Sequence, residues 1–210
     1  MTSKSSLARQ KILDASSAVF AEEGFAGARV DEIARRAGVN KAMLYYHIGN
    51  KQALYIEVLT RNFDRMEAAL VDALARGGSI ADRLQAIITG IAEALKANPD
   101  HPRIVLREFA SEGTNLEPVV LERLVQIFGL VRSLLADGVR TEEFRATDPV
   151  MTHLTLIGAS LILNATAPLR ERVSEIESGV GMPDDDTDVG AFLADLLMHG
   201  IATPRSGEST

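Results

Sequence analysis

The side chains best placed to do chemistry are Ala42, Met43, Tyr45, Tyr46 and Lys51, which crowd one end of the stretch 30–51, VDEIARRAGVNKAMLYYHIGNK. Their chemistry is contact, not catalysis: an ammonium group reaches a phosphate, while hydroxyls, aromatic edges and a small methyl suit base edges in a groove. The spacing says how they are held. Apolar residues at Val30, Ile33, Ala34 and Ala37, then at Val39, Leu44 and Ile48, give two short helices one buried face each. Gly38 stands between them and accepts the positive φ that a helix-turn-helix corner requires. At about 100° per residue Leu44 and Ile48 face inward, leaving Ala42 and Tyr46 opposite and Met43 and Tyr45 flanking. Such a surface suits a helix that enters a major groove.

Blander roles compete for each residue. Tyr45 can pack between the first and fourth helices, with its hydroxyl at the rim. His47 can be an ordinary exposed position, Lys41 a solubilising charge, and Arg35 and Arg36 surface residues. Catalysis fares worse. Cysteine is absent, and no nucleophile elbow, phosphate-binding glycine loop or HExxH pattern occurs. The histidines at 47, 101, 153 and 199 lack metal-ligand spacing, and Glu142-Glu143 and the aspartates at 184–186 lack a calcium-loop pattern. The chain is therefore read as no enzyme, with neither cofactor nor metal.

The net charge of −7 hides an asymmetry: residues 1–60 carry +2 and the remainder −9. The first part keeps the sign that phosphate contact favours. The absence of cysteine, together with a polar start that offers no export signal, suits a cytoplasmic protein. The most apolar run, 154–169, is interrupted by Asn164 and Pro168 and falls short of the ~20 residues of a membrane span.

Strand signals are scarce, so the fold class is all-α. A first helix over 5–23 carries Ile12, Ala15, Val19 and Phe20 on one stripe, with Gly24 as its cap and Phe25 folding back. After the two short helices, Asn50 caps a long fourth helix, 51–76, which ends at Gly77-Gly78-Ser79. Further helices are predicted over 80–97, 103–111, 117–140, 149–173 and 189–201, with a loop over 177–188 and a frayed tail.

Over residues 8–58 the chain resembles the TetR family of transcriptional regulators. Phe20, Gly24, Phe25, Ile33, Ala34, Ala37, Gly38, Val39, Leu44, Tyr45, Lys51 and Leu54 follow that family's order. The resemblance implies a helix-turn-helix DNA-binding domain over 1–50 and a larger helical effector-binding and dimerisation domain over 51–205, about nine helices in all. It also implies that Tyr45, His47 and Lys51 contact phosphates, while Lys41, Ala42, Met43 and Tyr46 face bases or their backbone. Three positions depart from the family pattern. Arg29 stands where Ser or Thr usually caps the second helix, Ile48 replaces a phenylalanine, and Met43 replaces a small or hydroxyl residue.

One small helix-turn-helix buries little DNA, so two copies on a palindromic operator are expected. The resemblance places the dimer interface on the last two long helices, 149–173 and 189–201, where Gly158, Ala159, Ser160 and Ala165 accompany several leucines. It also implies a small-molecule effector that releases the DNA, with Phe63, Met66, Phe109, Phe128, Met151, His153 and Asn164 as candidate lining. The function predicted is a DNA-binding transcriptional repressor. Its alternatives are an effector-independent DNA-binding or interaction module and, more remotely, an enzyme.

Overall fold

A computed structural model describes residues 4–176 and 187–201, and every regular element among them is helical. In order these are α1 (Lys4–Gly27), α2 (Val30–Ala37), α3 (Lys41–His47), α4 (Lys51–Ala75), α5 (Ile80–Ala97), α6 (Asp100–Ala110), α7 (Pro118–Arg140), α8 (Pro149–Ala165), α9 (Ala167–Ile176) and α10 (Val189–Ile201). The loop expected over 177–188 lies outside the described residues as far as 186, and so does the tail from 202.

The regular part of α1 closes at Glu23 as expected, because Gly24 adopts φ 71 and ψ 176, and a short turn follows it. Two other boundaries differ from the sequence expectation, each for a local reason. Helix α6 begins at Asp100 and not near residue 103, since Pro102 falls in the first turn, where a backbone N–H has no helical partner to lose. The single helix expected over 149–173 is two helices, α8 and α9, bent by 57° at Thr166. Pro168 has no N–H to offer the Asn164 carbonyl, and its ring would strike that carbonyl in a straight helix.

The described residues pack into two compact units. The first takes residues up to Asp64 together with Asn98–Leu124; the second takes Arg65–Ala97 together with residues from Val125 onward. Chain order would divide the protein at residue 50, whereas packing assigns the start of α4, all of α6 and the start of α7 to the same unit as α1 to α3. Phe20, Ile33, Leu44, Leu54 and Tyr55 are fully buried in the first unit, and Leu84, Ile87, Ile88, Val131 and Leu135 in the second. In the second unit α10 lies close against α5 at Gly190, where an added Cβ would come within 3.1 Å of the Thr89 Cα. Glu143 accepts hydrogen bonds from the Ile80 and Ala81 amides and so caps α5. No single described helix is long and apolar enough to cross a membrane.

Candidate nucleic-acid interface

The corner between α2 and α3 is built as the sequence requires. Gly38 has φ 67 and ψ 32; its N–H reaches the Arg35 carbonyl, and the Val39 N–H reaches back to that of Ala34. This pair of bonds closes a helix in the Schellman manner. A Cβ on Gly38 would meet nothing within 4 Å, so glycine is needed for its φ and not for space. Asn40 then opens α3, its Oδ1 accepting from the Met43 N–H at 2.7 Å. Arg29, by contrast, caps α2 without any side-chain hydrogen bond.

Ion pairs fix the two short helices. Glu32 accepts from both Arg35 and Arg36, which hold its carboxyl at about 2, and Arg36 extends to Glu22 on α1 at 2.7 Å. Lys41 pairs with Asp31 across the corner at 2.8 Å. The arginines and Lys41 therefore spend charge on internal partners, consistent with the blander role considered for Arg35 and Arg36.

The outward face of α3 carries few charges and many contact groups. Tyr46 is 86% exposed, Tyr45 45% and Met43 39%, with Lys41 and Ala42 exposed beside them. Tyr45 is therefore not a buried core residue. His47 is half-buried, its ring edge-on to Tyr46 at 5.4 Å. Leu44 is fully buried as expected, but Ile48 follows the last turn of α3 and is only half-buried.

Lys51 is tethered. Its Nζ donates to the Ala26 carbonyl at 3.1 Å and lies 4.8 Å from the centre of the Phe25 ring. Phe25 belongs to an aromatic cluster with Phe20 and Tyr55. The Tyr55 hydroxyl donates to Glu108 on α6 at 2.5 Å, and Asn115 Nδ2 donates to the same carboxylate. Arg107 donates to the Ala21 and Glu22 carbonyls at the end of α1, at 3.2 and 2.8 Å. The sequence reading missed Arg107 and Glu108 as supports of the DNA-reading unit. A signal existed for Glu108, which shares the apolar stripe of α6 with Ile104 and Val105 and is itself 3% exposed.

The candidate lining residues are divided between the units, Phe63 and Phe109 in the first and Met66, Phe128, Met151, His153 and Asn164 in the second. Phe63 is buried against His101, with ring centres 5.2 Å apart, and Met66 is buried. Phe109, expected to line a cavity, is instead 51% exposed on α6. Phe128 meets the edge of His153 at 4.7 Å. Met151 borders an open groove of about 360 Å³ with Leu193 and Leu196, and Asn164 borders a second of about 290 Å³ with Glu93 and Lys96. The Asn164 amide donates to the Ser160 carbonyl of its own helix at 2.8 Å, which meets the need for a partner that its sequence position raised.

Comparison with known proteins gives two family matches: residues 12–58 fit "Bacterial regulatory proteins, tetR family", and residues 77–162 fit "Tetracyclin repressor-like, C-terminal domain". The HTH-type transcriptional repressor NicS of Pseudomonas putida is 27% identical over 198 residues, covering 92% of each chain. The HTH-type transcriptional repressor SCO4008 of Streptomyces coelicolor is 30% identical over 143 residues, covering 67% of this chain and 71% of its own. Among solved structures, the ketosteroid transcriptional regulator KstR2 of Mycobacterium tuberculosis superposes with a TM-score of 0.73 at 22% identity, over 93% of this chain and 95% of that one.

Proposed function

The chain belongs to the TetR family of bacterial transcriptional regulators and is a DNA-binding regulator, and from that premise we propose that it represses transcription as a homodimer on a palindromic operator. The observation that supports this most is the exposed Met43, Tyr45 and Tyr46 face of α3, held by the Gly38 corner and the Asn40 cap. On this reading Lys41, Ala42, Met43 and Tyr46 meet bases or their backbone, and Tyr45, His47 and Lys51 meet phosphates. Residues 1–50 read DNA, and residues 51–205 dimerise and hold an effector. Relatives named as repressors favour repression over activation.

The dimer face is assigned to α8 and α10. Val150, Met151, Leu154, Ile162, Phe192 and Leu196 on these helices are all at least 41% exposed, an apolar surface of the kind that partner subunits cover. The small residue Ser160 and the neighbouring Leu161, expected at that interface, are buried within the chain. Two recognition helices about one DNA turn apart, ~34 Å, would occupy successive major grooves. An effector changes occupancy only through its difference in affinity for the two spacings, typically ~1–3 kcal/mol. Protection of a fragment carrying two inverted half-sites tests the reading; protection indifferent to sequence would contradict it.

A further inference from the structure

Two polar atoms in the second unit are buried without a hydrogen-bond partner: His153 Nδ1 and Ser160 Oγ. Both stand on α8, where the residues are 7% and 0% exposed. Seven residues apart, they fall on one face of the helix about 10 Å from each other. Thr152, the other buried polar residue of this unit among the described residues, is satisfied by the Asp148 carbonyl and Thr147. The His153 ring lies edge-on to Phe128 of α7, which leaves its nitrogen unanswered. Ser160 gives its backbone carbonyl to Asn164, but its hydroxyl finds nothing.

A buried polar group without a partner is destabilising, so its retention needs a cause. A single ordered water does not answer both, because these two atoms are too far apart to share one. The chemistry of the surroundings is also restrictive. Among the described residues of this unit no Asp, Glu, Lys or Arg is buried, so a charged group placed in the interior beside His153 and Ser160 would have no buried counter-ion. Burial lowers the pKa of His153, which favours the neutral ring that can either donate or accept.

We propose that His153 Nδ1 and Ser160 Oγ are the polar anchors of an effector site on the inner face of α8, and that its ligand is an uncharged, mainly apolar molecule with a hydrogen-bonding oxygen near each end. The proposal rests on the regulator reading and names the class of effector that reading leaves open.

The test uses three probes with one rigid body: biphenyl, 4-phenylphenol and 4,4′-biphenol, which carry no, one and two terminal hydroxyls. Their binding to the full chain is measured by calorimetry for the unsubstituted protein, Ser160→Ala, His153→Phe and the double variant. Each satisfied hydroxyl should tighten binding about three- to tenfold. The advantage of biphenol over phenylphenol should vanish in either single variant, and the double variant should treat all three probes alike. Failure of biphenol to bind the unsubstituted protein, or the same advantage in every variant, would overturn the proposal. The unliganded double variant should melt no lower than the parent, because it loses two unsatisfied groups; a marked drop would show them to be structural and overturn it as well. Ser160→Ala, which removes one buried atom, keeps the test open if the histidine variant does not fold. Operator binding is measured on the same preparations. Its absence would sink the regulator reading alone, while intact operator binding without the probe pattern would sink this proposal alone.

Discussion

The Tyr55 hydroxyl and the Glu108 carboxylate form a buried hydrogen bond of 2.5 Å that joins α4 to α6 within the DNA-reading unit. Burial, and then the hydrogen bond to Glu108, push the Tyr55 phenol above its ordinary value, so it remains a donor at any working pH. Tyr55→Phe strips one donor from a buried carboxylate and should lower stability by about 1–3 kcal/mol in urea denaturation. With Glu108→Leu, which removes the acceptor, it forms a cycle whose coupling should exceed about 0.5 kcal/mol. Simple additivity would mean that the pair carries no specific interaction.

Tyr46 and Lys51 are predicted to separate under alanine substitution. Tyr46 is 86% exposed, so Tyr46→Ala should weaken operator binding while shifting stability by no more than about 0.5 kcal/mol. Lys51 holds the Ala26 carbonyl and sits over Phe25, so Lys51→Ala should weaken DNA binding and also lower the thermal midpoint. Gel-shift titration beside a melting curve distinguishes the two patterns.

His101 gives the fold an acid sensitivity. Full burial lowers its pKa to about 4 from 6.5, so the unfolded chain takes up a proton in a range where the folded chain does not. Its stabilising contribution is complete above pH 6.5 and is lost as pH falls toward 4. The loss amounts to about 3 kcal/mol at most. His101→Phe, which can keep the contact with Phe63, should flatten the melting temperature across that range; an unchanged slope would assign the sensitivity elsewhere.

Leu154→Glu and Phe192→Glu place charges on residues that are 53% and 59% exposed on the assigned dimer face. Light scattering should report folded monomers at concentrations where the parent is a dimer. Leu161→Glu should unfold the second unit instead, since Leu161 is 2% exposed. Persistent dimers from the first two variants would move the interface off these helices.

Where side-chain periodicity and capping act over a few residues, the sequence was a good guide. The Gly38 corner, the Asn40 and Asn50 caps and the inward Leu44 could be read from spacing alone. Longer-range relations could not. Arg107 caps a helix that ended more than eighty residues earlier, and the apolar stripe that marks Glu108 as buried does not name its partner Tyr55 on another helix. The break at Thr166 was legible in Pro168 but was outweighed by the apolar run around it. Residue type does not set direction: Phe109 faces outward, while Ser160, a small residue on a mostly apolar helix, is buried with its hydroxyl unmet.

The central claim, that the exposed face of α3 reads DNA, is tested most directly by nuclease protection of a DNA fragment selected from random sequence for binding to the parent, with the parent and Tyr46→Ala compared at equal concentration. The account predicts two protected half-sites, centred about one helical turn apart, for the parent. For the folded variant it predicts protection that is lost or needs a much higher concentration. Equal protection by both proteins, or protection by the parent with no half-site pattern, would contradict it.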